Sequence, residues 1–200
     1  MIPRIWRCTL VLTASVGSPL SAAQGQWSVA GRIGAERFWG GSVEIAPEHR
    51  SFRPYRPTTF GAALQRYGSR WSVGLRLGFA KASLALEGED ALVAAKGIFT
   101  VYSAAPEIGI RVGPTRGRQQ LWIRAGPLLE LWSVMGEDSR ARAGAQGAVS
   151  FVVPLSGRFA ASMSAGAAAT ASPFERGELE GYQLRTLWRR RLEVGLEYSL

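Results

Sequence analysis

The sequence predicts an all-β fold: a closed, up-and-down antiparallel transmembrane β-barrel of eight strands. Three observations lead there. Apolar and polar residues alternate with period two over long stretches, the connections between those stretches alternate in length, and beyond the N-terminal segment no apolar run reaches the roughly 18 residues of a helical span. A helix would mix the alternating sets on every face, whereas a strand sends them to opposite sides.

The N-terminal segment reads as a secretory signal. Arg4 and Arg7 form a basic start, Cys8 to Leu20 is mostly apolar, and Ser21-Ala22-Ala23 offers small residues for cleavage before Gln24. Residues 1–23 are therefore expected to be removed, leaving a single domain over 24–200. Cys8 is the only cysteine, and Ile5-Trp6-Arg7 before it is not a lipidation signal. The mature chain would then hold neither disulfides nor cysteine zinc sites, and no cofactor or metal motif is recognised.

Strands are expected at about 26–38, 57–67, 70–86, 97–112, 119–134, 142–154, 157–171 and 187–200. In the first, Trp27, Val29 and Ile33 alternate with Ser28, Arg32, Gly34 and Glu36. The second and sixth are weaker. In the third, Trp71, Val73, Leu75, Leu77 and Phe79 alternate with Ser72, Gly74, Arg76, Gly78 and Ala80. In the fourth, Ile108, Ile110 and Val112 oppose Glu107, Gly109 and Arg111; in the fifth, Leu121, Ile123, Leu129 and Leu131 oppose Arg124, Gly126 and Glu130. Trp122 and Trp132 fall in the polar phase of that strand, which allows either a bulge near Pro127 or packing inside the barrel. The seventh is rich in Ala and Ser, its phase carried by Phe159 and Met163. The eighth is the clearest, with Leu192, Val194, Leu196, Tyr198 and Leu200 against Arg191, Glu193, Gly195, Glu197 and Ser199. Long connections are expected at 39–56, 87–96, 135–141 and 172–186, short ones at Gly68-Ser69, 113–118 and Leu155-Ser156, as in a membrane barrel with both termini on one side.

Energetics decide which phase meets lipid. Were the polar phase outward, Arg32, Arg76, Arg111, Arg124 and Arg191 would lie in hydrocarbon. At about 2–4 kcal/mol each, the sum of about 10–20 kcal/mol rivals the whole stability of a domain, about 5–15 kcal/mol. The apolar phase must face out. Arg37, Arg66, Lys81 and Arg190 fall in that phase near expected strand ends, where an interface solvates them, and Trp27, Trp71, Trp188 and Tyr198 lie where aromatic girdles form.

The inward phase repeats a charge-x-Gly-x-charge element: Arg32 to Glu36, Glu107 to Arg111 and Glu193 to Glu197, with partial copies at Arg76 and Arg124. An eight-stranded barrel is only wide enough for side chains to fill. Glycine leaves room for long neighbours, and buried charges need partners. The expected lumen network is Arg32, Glu36, Arg76, Glu107, Arg111, Arg124, Glu130, Arg191, Glu193 and Glu197. A narrow salt-bridged plug and a small gated ion path are both open on these residues.

Net charge is +9, or +7 once Arg4 and Arg7 leave with the signal. Nucleic acid is not an expected partner for a secreted chain. The expected counter-charge is anionic lipid or lipopolysaccharide phosphate, which arginine grips bidentately. Arg50, Arg53 and Arg56, interleaved with Phe52, Tyr55 and prolines, form a candidate loop grip for phosphate or a partner.

The signal segment, the eight alternating stretches and the terminal Leu192-x-Val194-x-Leu196-x-Tyr198-x-Leu200 resemble the small outer-membrane β-barrel proteins, such as the OmpA transmembrane domain and OmpX-like barrels. The resemblance covers the whole mature chain, although the family usually ends in Phe or Trp where this chain has Leu200. It implies a bacterial outer-membrane location, periplasmic termini, extracellular long loops, and recognition of residues 192–200 by the barrel-assembly machinery. Partner proteins are not indicated.

Some barrels of this size modify lipid A. His49 is the only histidine, in Glu48-His49-Arg50, and Asp138-Ser139 lies in another loop, but no stretch matches the motifs of those enzymes. The expectation is a non-enzymatic barrel acting through its loops. Alternatives are a gated pore, a lipid A-modifying enzyme, or a soluble lipocalin-like barrel with its apolar phase turned inward.

Overall fold

Alternating strands this long satisfy their backbone hydrogen bonds only by pairing, and pairing without a free edge requires closure. A computed structural model describes residues 26–44, 51–87, 92–113, 119–134, 139–175 and 181–200. The strands are β1 (Gln26–Glu44), β2 (Ser51–Tyr67), β3 (Trp71–Glu87), β4 (Leu92–Val112), β5 (Gln120–Val134), β6 (Arg140–Ser156), β7 (Phe159–Thr170) and β8 (Tyr182–Ser199). Each pairs antiparallel with the next, and β1 pairs with β8 from Ser28↔Ser199 to Glu44↔Tyr182, closing the barrel.

The two faces are sorted as the alternation requires. Ile108 and Leu192 face outward at 67% and 66% exposure, while Arg124 faces the lumen at 1%. Val29, Ile33, Leu75, Ile123, Leu129, Val194 and Leu196 continue the outer belt. A continuous apolar girdle of this kind is stable only in hydrocarbon, so the barrel is a membrane-spanning one. A soluble lipocalin-like barrel would need the reverse arrangement. Trp27 and Trp71 border the belt at the end with the short turns, and Trp188 borders it at the other.

Trp122 and Trp132 are buried inside. No bulge puts them there: β5 pairs with β6 without a shift from Gln120↔Val152 to Trp132↔Arg140, straight through Pro127. The β4–β5 ladder is different. Its pairing stops at Ala104↔Leu129 and resumes at Ile108↔Ala125, with Pro106 and Pro127 in the gap. Proline has no N–H to give the ladder.

The expected boundaries need correction at the long-connection end. β1 runs on to Glu44, β2 starts at Ser51, β4 starts at Leu92 and β8 starts at Tyr182. Most of the expected loops 39–56 and 87–96, and residues 182–186 of the expected loop 172–186, are thus strand, and the connections shrink to 45–50, 88–91 and 171–181. At the opposite end the connection 113–119 is longer than 88–91. The asymmetry of the barrel therefore lies in strand height more than in loop length. A strand crosses hydrocarbon in about 9–11 residues, so the 21 residues of β4 reach well beyond it. The expected signal segment 1–23, Glu48, His49, Arg50, Asp138 and the side chains of Arg53 and Arg56 lie outside the described residues.

Candidate functional site

Alternation on every strand aims one set of long charged side chains at the barrel axis, where they meet between residues too small to obstruct them. Gly34 and Gly195 show the need for such neighbours: a Cβ at Gly34 would lie 2.6 Å from the Glu193 Cγ, and one at Gly195 would lie 2.9 Å from the Arg32 Cγ.

Glu193 of β8 is the hub. It pairs with Arg76 of β3, reaching across the lumen, with Arg191 at 3.3 Å and with Arg32 at 3.9 Å, and it accepts a hydrogen bond from the Ser164 hydroxyl at 3.1 Å. Arg76 Nε also donates to Glu107 Oε1 at 3.0 Å. Gln146 bridges from β6, donating to Glu107 at 2.8 Å and accepting from Arg191 at 3.3 Å. Towards the tall end, Arg189 holds Glu130 at 2.6 Å and Glu36 at 3.6 Å. Towards the other end, Arg32 lies 3.6 Å from Glu197.

Arg124 departs from the expected charge pairing. Its guanidinium lies against the Tyr67 and Trp122 rings, and Nη2 donates to the Tyr67 hydroxyl at 2.8 Å. That hydroxyl donates in turn to Glu197 at 2.9 Å, so Tyr67 relays between the two charges. Arg111 is half-buried at the short-turn end, level with Trp122, and is engaged there.

The structure thus brings seven of the ten expected lumen residues into the network around Glu193, holds Glu36 and Glu130 together on Arg189 in a second group towards the tall end, and leaves Arg111 at the mouth. Arg189, Gln146, Ser164 and Tyr67 are members that the sequence reading missed. Arg189 was findable, since it shares the phase of Arg191. Gln146 and Ser164 carry no charge to mark them, and Tyr67 sits where β2 ends.

Both ends of the network are capped by aromatic side chains. At the short-turn end Tyr67 and Trp122 pack with centroids 5.1 Å apart. At the tall end Phe38, Phe99, Trp132 and Leu187 form a buried layer with Ala82 and Val101, Trp132 meeting Phe38 and Phe99 edge-on at 6.0 and 5.8 Å. Between the caps, a cavity among Arg32, Glu36, Thr59, Arg76, Arg189 and Glu193 measures about 20 Å³, room for about one water molecule. Chemically the arrangement fills and braces a tube.

No family model matches the chain, and no curated protein sequence matches it significantly. Solved structures do. The chain is similar to the outer membrane protein OprG of Pseudomonas aeruginosa, with a TM-score of 0.56 at 12% identity over 88% of this chain and 96% of that one. It is similar to Neisserial surface protein A, with a TM-score of 0.54 at 11% identity over 87% and 96%. It is also similar to the outer membrane protein AlkL in lipid bilayers, with a TM-score of 0.52 at 12% identity over 92% and 95%. At such identities the likeness is one of fold: this chain has the architecture of the small eight-stranded outer-membrane barrels.

Proposed function

We propose that the protein is an integral bacterial outer-membrane barrel that conducts nothing, catalyses nothing, and works as a rigid scaffold for what its tall end presents. The observation that carries this reading is the lumen: two aromatic layers with a cross-braced charge network between them. A conducting path needs a continuous file of water or mobile groups, whereas these carboxylates are held by guanidiniums. The termini are periplasmic and the tall end is extracellular, as the strand overhang supports. Lipopolysaccharide is the proposed partner of the outer rim and of the loop arginines Arg50, Arg53 and Arg56. The barrel-assembly machinery is the proposed reader of residues 192–200.

Reconstitution into lipid vesicles and planar bilayers tests the proposal. We expect a folded band that shifts on boiling, and no stepwise conductance. Discrete chloride or potassium currents from the folded species would overturn the scaffold reading. Catalysis is tested by His49→Ala: lipid A from cells expressing the variant should carry the same acyl pattern as the parent, and a changed pattern would restore the enzyme.

A further inference from the structure

Like charges directly opposite each other on one face of a ladder repel. Arg37 of β1 and Arg190 of β8 are such a pair, and both are exposed on the outer wall. Every strand carboxylate whose side chain is described faces the lumen and is buried, so at this level the wall supplies no counter-charge among the described residues. The Arg190 guanidinium is nevertheless held in place. It lies 4.9 Å over the Trp39 ring, which stacks on Trp188 with centroids 6.5 Å apart.

Beside this pair the wall changes character. Where most strands present Leu, Ile, Val or Phe, the neighbouring strands present Ala125, Gly147, Ala165 and Ala167, which leave a shallow groove of about 750 Å³ with Arg190 and Leu192 on its border. In a bilayer such a furrow is filled by hydrocarbon. A pair of arginines with no counter-ion among the described residues, next to a furrow for an alkyl chain, has the chemistry of one kind of molecule. We propose that Arg37 and Arg190 together clamp a phosphate of a phosphorylated outer-leaflet glycolipid, one acyl chain of which lies in the Ala165–Ala167 groove. This rests on the reading that the tall end is extracellular. The guanidinium forks match phosphate oxygens bidentately, the shared anion converts repulsion between the arginines into attraction to one ligand, and the indole stack holds Arg190 ready beforehand.

Native mass spectrometry of the detergent-purified full chain tests the site, with bisphosphorylated lipid A and the same lipid after removal of its phosphates as probes. The parent protein should retain the phosphorylated lipid. The double variant Arg37→Gln, Arg190→Gln should bind it at least about tenfold more weakly, as loss of charge-assisted hydrogen bonds implies. The double variant Ala165→Leu, Ala167→Leu, which fills the groove, should also weaken it while leaving the arginines intact. Equal retention by the arginine variant, or equal binding of the dephosphorylated lipid, overturns the proposal. Full competition by inorganic phosphate, with no effect of filling the groove, would show a free-phosphate site and overturn it too. A boiling-sensitive folded band is required of each variant, and Arg190→Gln alone replaces any that lacks one. Failure of the parent protein to enter vesicles would sink the membrane reading itself; entry with unchanged lipid retention sinks only the clamp.

Discussion

Glu193 shows how one carboxylate in a crowded tube constrains many neighbours, since it touches side chains from β1, β3, β7 and β8. Removing one partner from a buried ion pair leaves the others uncompensated, at about 3–5 kcal/mol. Glu193→Ala should therefore lower stability by about that amount in urea titrations of vesicle-inserted protein, read from the boiling-sensitive band. Leu192→Ala on the outer face should cost far less, because lipid re-covers the site. A smaller effect belongs to Tyr67, whose hydroxyl links Arg124 to Glu197. Tyr67→Phe removes both of these bonds, leaving Glu197 to Arg32 alone, and should cost about 1–3 kcal/mol in the same titration. The charged members of this network were legible because alternation separates them from the belt. Their pairings were not, because partners such as Arg76 and Glu193 stand on strands that are neither sequential nor adjacent.

At the scale of elements, the β4–β5 hairpin holds the described glycine with the least room for a side chain. A Cβ on Gly126 would lie 1.9 Å from the Pro106 carbonyl oxygen, inside the stretch where pairing lapses. Gly126→Ala must push the two strands apart, and overpacking of this kind costs about 1–3 kcal/mol. Gly31, whose Cβ would meet nothing within 4 Å, is the control, and Gly31→Ala should leave the unfolding midpoint nearly unchanged. Strand existence and facing were readable wherever hydrocarbon lies on one side and the lumen on the other. The overhangs at 39–44, 51–56 and 92–96 escaped notice because beyond the bilayer the outward face meets water, and selection for alternation ends. Pro54 and Pro57 within β2 further disguised that segment as a turn.

For the whole molecule, the belt makes insertion and folding one event. Ile108 lies in the middle of the outward set on β4, so Ile108→Arg should weaken insertion by about 2–4 kcal/mol, measured as the folded fraction against lipid concentration. Arg37 and Arg190, at the belt's edge, carry no such penalty. Closure has another consequence. The first and last strands lie side by side, and the Leu200 amide donates to the Trp27 carbonyl at 2.9 Å, so the order in which strands occur along the chain is decoupled from the shape they make. A circular permutant running 159–200 and then, through a short linker, 26–156 keeps every ladder while moving the tail Leu192 to Leu200 into the interior of the polypeptide. If that tail is an address, the permutant should refold in vitro into the same barrel yet fail to mature in cells. Normal maturation in cells would mean that the assembly machinery recognises something other than a terminal strand.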